Sequence, residues 1–237
     1  WKQEIVLRRY KEKKAVGQNI IMAKPMKLYD EAYVTGCDNT QEWMLPWFLK
    51  NFKKNNNKPL IFANFGITDL TMQIVRENVH AVMDLTNTEE KGWFKKPLSM
   101  LKSPSKKTVW IDTDCEVREN TDDIFDLIEP EKLLMAKDEP WIWRRGHLWH
   151  NSGVVGFQDK PVILYQWVKA VKQNPLDGDQ EVLDKILSPI TKIKYITDLP
   201  NKYNVLRLQL EKDGYGGEVK IAHWTGQKGK IKISEMV

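Results

Sequence analysis

Apolar residues recur along this chain in two registers. Over 31–37, 58–66, 80–85 and 107–112 they form short, nearly continuous runs, "EAYVTGC", "KPLIFANFG", "HAVMDL" and "KTVWID", with the length expected of buried strands. Between them the apolar positions follow helical spacing. Trp43, Trp47, Phe48 and Phe52 predict a core-facing helix over 40–54, with Thr40 as its cap and Pro46 in an early turn. A second helix is predicted over 68–78, capped by Thr68 or Asp69, and a third over 94–102. Strand and helix alternating at this pitch predict an α/β fold whose mostly parallel, Rossmann-like sheet carries helices on both faces.

The second half is less regular and predicts a smaller mixed α+β portion. A short helix is expected over 122–128, strands over 132–138, 151–158 and 219–224, and helices over 160–173 and 177–187. Residues 200–217, ending in "GYGG", read as a long mobile connection. Residues 2–14 carry a weak apolar stripe and many charges, so 1–28 reads as a helical arm or linker and 29–237 as a single domain.

Composition narrows the class. Hydrophobic residues make up 41% and charged residues 29%, as in a globular protein, and no apolar run reaches the ~18 residues of a membrane span. The first residue is Trp1, so the chain is expected to be a piece of a longer, multidomain polypeptide. Cys37 and Cys115 are too few for a disulfide framework and are not spaced as a zinc site; both are expected to be reduced, in a cytoplasmic setting. The formal charge of +5 suits phosphate-bearing ligands, yet the basic residues are too dispersed to indicate nucleic acid. "RRYKEKK" (8–14) and "KNFKKNNNK" (50–58) read as solvated helix faces.

Candidate chemistry lies where the fourth strand ends, in "VWIDTDCEV". Asp112 and Asp114 are near neighbours there, and two carboxylates so close repel unless a proton or cation lies between them. Oxygen ligation favours Mn2+ or Mg2+ bridging to phosphate oxygens, and open parallel sheets bind ligands at the carboxyl ends of their strands. "IAHWTGQKGK" puts His223 at a strand end, either as a third ligand or as a half-buried strand histidine, followed by Gly226, which would allow close backbone approach to phosphate, and Lys228, a point charge for the same phosphates. "HNSGVVGF" sets Asn151 before a glycine, and "LDGDQEVLDKIL" sets Asp179 and Gln180 at a helix start.

In this order these segments resemble the GT-A-fold glycosyltransferases, most closely glycosyltransferase family 8, the group of glycogenin and the bacterial lipopolysaccharide galactosyltransferases. "YVTGCDN" is similar to the family's first strand, which implies nucleotide contacts at Asp38, with Thr35 beside it. "FKKPLSML" is similar to the segment whose basic residue, Lys96 or Lys95, reaches the donor. "VWIDTDCEV" is similar to "LDxD", implying that Asp112 and Asp114, with His223, hold the metal and that Thr113 contacts the diphosphate. "HNSGVVGF" is similar to "FNAGV", "DGDQEVLD" to "DQDxLN" and "HWTGQKGK" to "HxxGxxKPW". These imply donor-sugar contacts from Lys96, Asp138, Asn151, Ser152, Asp179 and Gln180, catalytic roles for Asp179, Gln180 and Asn151, and diphosphate contacts from Gly226 and Lys228. Residues 29–118 would be the nucleotide-binding half and 119–237 the sugar and acceptor half. The sequence departs from the pattern at Ser152, at Glu181 and in lacking "KPW" after Lys228.

The resemblance implies a metal-dependent, retaining transfer of sugar from a nucleotide-diphosphate sugar, a UDP-sugar, to a hydroxyl on a glycan, glycoprotein or lipid. Peripheral membrane association goes with such acceptors. An inverting enzyme would need a base, for which Asp138 and Glu139 are candidates. "PWIWRRGHLWHN" (140–151) is expected either to line the acceptor cleft through Trp143, Arg144 and Trp149 or to form a packed hairpin. A non-catalytic glycan- or partner-binding module on the same scaffold is the alternative; it does not need the two acids, His223 and Lys228 together. A sugar nucleotidyltransferase should carry a glycine- and lysine-rich loop after the first strand, where "GCDNTQEW" offers one glycine, Gly36, and no lysine or arginine.

Overall fold

The structure is a computed structural model that describes residues 28–90, 92–212 and 215–237. The arm expected before residue 28 lies outside the described residues. Ten strands follow in chain order: β1 Tyr29–Cys37, β2 Leu60–Asn64, β3 Ala81–Asp84, β4 Ser105–Ile111, β5 Cys115–Val117, β6 Leu133–Lys137, β7 His150–Gln158, β8 Ile196–Leu199, β9 Val205–Leu206 and β10 Ile221–His223. Seven of them form one sheet in the order β3-β2-β1-β4-β7-β6-β8, and β5-β10-β9 form a small second sheet. The ladders among β3, β2, β1 and β4 are parallel, as the alternation predicted. Only β7 runs against its two neighbours in the large sheet.

The helices are α1 Leu45–Asn55, α2 Asp69–Asn78, α3 Lys95–Lys102, α4 Glu139–Arg145, α5 Val162–Gln173, α6 Asp179–Ile186, α7 Pro189–Tyr195, α8 Arg207–Lys212 and α9 Gly226–Ser234. Alternate residues of the sheet feed two cores, as the period-2 geometry of strands requires. Tyr33, Phe62, Val109, Ile111 and Val154 pack in one cluster with Phe48 and Phe52 of α1 and Val75 of α2. Val34, Ile61, Trp110, Val155 and Phe157 share the other with Met100 of α3, Trp167 of α5 and Leu183 of α6. Gly36 sits level with Ala63 in the β1/β2 ladder, where an added Cβ would meet the Ala63 carbonyl oxygen at 2.4 Å.

Several boundaries differ from the expected ones. The helix predicted over 40–54 is split into a 3-10 turn, Glu42–Met44, and α1. Pro46 lies in the first turn of α1, where its missing N–H costs nothing. Thr40 is therefore not the cap; its hydroxyl donates to Asp38 Oδ1 at 2.6 Å. Thr68 does cap α2, accepting from the Thr71 amide. Residues 122–127 are 3-10 rather than α-helical. The connection expected over 200–217 holds a 3-10 turn at Asn201–Tyr203, β9 and α8. Among the described residues no helix is long and apolar enough to cross a membrane.

Candidate functional site

Backbone pairing brings three side chains to the carboxyl end of β4. The Asp112 amide donates to the Gly153 carbonyl at 2.8 Å, and a turn closes from the Cys115 amide to the Asp112 carbonyl at 3.1 Å. The chain then enters β5, which runs antiparallel to β10 with Cys115 directly opposite His223. The Trp224 amide reaches back to the Asp114 carbonyl at 3.0 Å. His223 Nε2 consequently lies 3.2 Å from Asp114 Oδ1 and 4.0 Å from Asp112 Oδ2.

The electrostatics follow from that approach. Burial disfavours the His223 imidazolium, but Asp114, by charge and hydrogen bond, and then Asp112 outweigh burial and raise its pKa above 6.5. Burial pushes Asp114 up, yet His223 and then Lys230 hold it below the usual carboxylate value. For Asp112 burial dominates, helped by the Asp114 charge, and its pKa is raised despite Lys96. A histidine with a raised folded pKa contributes stability that is complete below pH 6.5 and lost as pH rises through the folded value. His223→Gln should therefore lower the Tm of the metal-free protein more at about pH 5.5 than at about pH 8.5. Equal Tm losses at both pH values would contradict the raised pKa.

Lys96 of α3 is the second organiser. Its ammonium lies 3.0 Å from Asp112 Oδ1 and 3.2 Å from Asp179 Oδ2, and it donates to the Ser152 hydroxyl at 3.0 Å. Burial would discharge it, but Asp112 and Asp179 raise its pKa instead. Of the two candidates the helix turns Lys96 to the clefts, while Lys95 Nζ points away, to the carbonyls of Phe65 and Leu85. Trp110 Nε1 also donates to Asp112 Oδ1, at 2.6 Å. Asp112 thus stands one step back from the tightest cluster, in which ligand atoms of Asp114, Cys115 and His223 lie within 4.8 Å of one another. Burial and the Asp114 charge push the Cys115 thiol well above its usual pKa, so it stays protonated and ligates poorly. The strong donors that remain are carboxylate oxygens and an imidazole nitrogen, a set suited to Mn2+ or Mg2+.

Asp179, Gln180, Asn151, Ser152 and Asp138 also converge. Trp167, buried in α5, donates its indole N–H to the Asp179 carbonyl at 2.8 Å and so pins the start of α6. The Ser152 hydroxyl donates to Asp179 Oδ2 at 2.9 Å, and the Ser152 amide to Gln180 Oε1 at 3.1 Å. Asp138 Oδ2 accepts from Asn151 Nδ2 at 3.0 Å and from Gln180 Nε2 at 3.2 Å, while its Oδ1 caps α4 through the Trp141 amide.

Two clefts meet over this cluster, and Lys96, Asp112, Asp114 and Asp179 line both. One, of about 290 Å³, is lined further by Asp138, Asn151, Gln180, His223, Gly226, Trp141 and Arg144. The other, of about 170 Å³, opens at the end of β1 and is lined by Asp38, Gln41, Phe65, Trp93, Thr113 and Lys230.

Four expected residues are elsewhere. Thr35 is fully buried and lines neither cleft, because its place on β1 turns it into the core two residues short of the strand end. Lys228 is exposed and lines neither cleft; Lys230 takes that place. The reason is helical phase: α9 starts at Gly226, and at ~100° per residue positions 226, 230 and 233 share a face while 228 turns away. Trp149 is buried against Trp141, ring centroids 5.9 Å apart, and Trp143 is 87% exposed and outside both clefts. Neither lines either of these two clefts; 139–145 is a helix and not a loop or hairpin, and it turns Trp141 and Arg144 to the larger cleft instead. Its signal was present in the sequence: Asp138 as cap, Pro140 in the first turn and Gly146 at the left-handed end. Lys230, which lines the β1 cleft, and Asn204, 2.9 Å from His223 Nδ1, were not singled out by the sequence reading.

No protein-family model matches the chain, and no curated protein sequence does. Solved structures do. The glycosyltransferase GlyE of Streptococcus pneumoniae TIGR4 superposes with a TM-score of 0.65 at 17% identity, over 85% of this chain and 55% of its own. The galactosyltransferase LgtC, solved with donor and acceptor sugar analogues, gives 0.57 at 13%, over 86% of this chain and 94% of its own. Mouse xyloside xylosyltransferase 1 gives 0.52 at 14%, over 85% and 98%. The chain thus spans about half the length of GlyE and nearly all of LgtC. At these identities the likeness defines the fold, which is the GT-A fold of glycosyltransferases.

Proposed function

We propose that this chain is a metal-dependent glycosyltransferase of the family 8 type. It would transfer a sugar from a nucleotide-diphosphate sugar, a UDP-sugar, to a hydroxyl of a glycan, glycoprotein or lipid, with retention of configuration. The observation that carries the reading is the approach of His223 Nε2 to Asp114 Oδ1, 3.2 Å, with Asp112 beside it, where two clefts join at the strand ends. The β1 cleft suits the nucleotide, with Asp38 at its rim and Thr113 and Lys230 toward the diphosphate. The larger cleft suits the sugar, with Trp141 and Arg144 toward the acceptor.

The chemical task is to stabilise negative charge that grows on the departing diphosphate. A divalent ion held by Asp114, His223 and Asp112 supplies Lewis-acid charge there when bound. Lys230 adds a point charge from the α9 face. Asp179 and Gln180 are themselves held by Lys96, Ser152 and Asp138, so they present fixed groups to the sugar and reduce the entropy cost of reaching the reactive pose. Asp138 is occupied: it accepts two side-chain amide donors on Oδ2 and caps α4 with Oδ1. That leaves it ill placed as the free base an inverting enzyme requires, and Glu139, the other candidate, accepts from Asn201 and lines neither cleft; both positions support retention.

A panel of sugar nucleotides assayed for Mn2+-dependent hydrolysis and for protection against thermal unfolding tests the reading. One sugar nucleotide should raise Tm with Mn2+ and not with chelator, and its transfer product should keep the donor's anomeric configuration by NMR. Metal-independent binding of glycans with no turnover of any donor would favour the binding-module alternative instead. Among variants, Lys230→Ala should lower kcat by about 10²–10³, and Lys228→Ala should leave kcat within about twofold. The reverse order of effects would refute the helical-phase argument.

A further inference from the structure

A directed chain of hydrogen bonds runs from the proposed metal site to the sugar cleft. It begins at a group whose polarity is beyond doubt: the Gly153 backbone N–H donates to the Asn151 amide at 2.8 Å, so the atom it meets is the oxygen, Oδ1. The other amide atom of Asn151 is then nitrogen, and it donates to Asp138 Oδ2. The side chain of Asn204 meets Asn151 Oδ1 at 2.9 Å, and only its nitrogen is able to donate there. The remaining atom of Asn204 is oxygen, and it lies 2.9 Å from His223 Nδ1. An amide oxygen accepts, so Nδ1 carries a proton. Asn204 is 1% exposed, Asn151 5% and His223 4%, so water does not offer a substitute partner.

We propose that Asn204 is a positioning residue that locks the proton of His223 on Nδ1 and thereby reserves Nε2 for the metal, while tying the imidazole through Asn151 to Asp138 of the sugar cleft. This rests on the metal-site reading above. A metal-binding imidazole needs one bare nitrogen, and the partner of the other nitrogen decides which one it is. With the proton on Nε2 instead, the Nδ1 lone pair would face the Asn204 oxygen inside the protein with no donor between them. The amide cannot turn to avoid this, because its nitrogen would then leave Asn151 Oδ1 for Nδ1 and its oxygen would confront Asn151 Oδ1. Asn151 cannot turn either, since the Gly153 amide requires its oxygen. The backbone supports the arrangement: Asn204 ends the 3-10 turn, bonded to the Asn201 carbonyl at 2.8 Å, and leads straight into β9, whose Leu206 is level with His223.

Outer partners of ligating histidines are worth about 10–100-fold in metal affinity. Asn204→Leu should weaken Mn2+ binding by that factor in calorimetric titration of the folded protein. Asn204→Asp keeps an oxygen acceptor for Nδ1–H and loses the donor to Asn151. It should retain Mn2+ affinity within a few fold and raise the KM for the sugar nucleotide. This split between the two variants is something a purely structural role would not produce. Long-range 15N–1H NMR of 15N-histidine protein with Mg2+ checks the tautomer without any variant, and His223 should show protonated Nδ1 and bare Nε2. Protonation at Nε2 in that spectrum, unchanged Mn2+ affinity in Asn204→Leu, or equal losses in both variants would overturn the proposal. Failure of the unaltered protein to bind Mn2+ with saturation would overturn the metal-site reading and this inference together; saturable binding that Asp114→Asn abolishes and Asn204→Leu leaves intact would overturn the inference alone.

Discussion

Replacing Asp114 with alanine is expected to cut metal-dependent turnover by more than about a hundredfold while the fold persists. The backbone role of residue 114 is to offer its carbonyl to the Trp224 amide at 3.0 Å, and alanine offers the same carbonyl. What disappears is the oxygen 3.2 Å from His223 Nε2. The imidazole then has only Asp112, at 4.0 Å, and that carboxylate is already shared with Lys96 and Trp110. A divalent ion held at this place would lose the carboxylate oxygen that lies nearest His223 Nε2. The charge balance changes in a checkable way: burial already opposes the His223 imidazolium, and with Asp114 gone the largest influence raising its pKa is removed, so its titration should move down. Turnover measured across an Mn2+ series, alongside a thermal melt, reads both effects. Activity equal to that of the unaltered protein in the presence of chelator would refute the metal role.

Gly153→Ala is expected to be nearly as damaging, by a steric route. A Cβ at residue 153 lies 2.1 Å from His223 Cε1, 2.4 Å from His223 Nδ1 and 2.9 Å from Asn151 Oδ1. The strand cannot retreat, because the Gly153 amide is bonded to Asn151 Oδ1 and its carbonyl accepts from the Asp112 amide at 2.8 Å. The ring cannot retreat without leaving Asn204 on one side and Asp114 on the other. Overpacking of this kind costs about 1–3 kcal/mol of stability, and here the displaced group is the imidazole itself. Mn2+ affinity should fall more than tenfold with a Tm loss of several degrees. Gly226→Ala is the contrasting control. No atom lies within 4 Å of its added Cβ, but φ is +72°, so the cost is conformational, about 1–2 kcal/mol, and metal affinity should change little. Retention of full Mn2+ affinity in Gly153→Ala would show that the imidazole is free to move and is not held as described.

Much of this architecture was legible beforehand, because strand and helix periodicity is local. "LIFANF" between polar flanks has one use in a covered sheet, and the apolar spacing of "LPWFLKNF" has one use beside it. The acid pair at the end of β4, His223 at the end of β10, and Asp179 at the start of α6 were legible for the same reason: each is set by where a local element stops. Lys96 required only the helical phase of α3 to separate it from Lys95.

The amino-acid order by itself determined the parallel half of the sheet, the helices that cover it, and the strand ends that receive Asp112, Asp114 and His223. Tertiary structure decided which cation faces the cleft, Lys230 rather than Lys228, because at ~100° per residue the two point to opposite sides of α9 and the seating of that helix sets which side meets the cleft. It also decided that Trp149 is buried and Trp143 exposed, by seating α4 so that Trp149 packs on Trp141. It alone recruited Asn204, which stands 53 residues from Asn151 and 19 from His223. Contacts over such separations exist only once the sheets have closed, and no periodicity within the chain announces them.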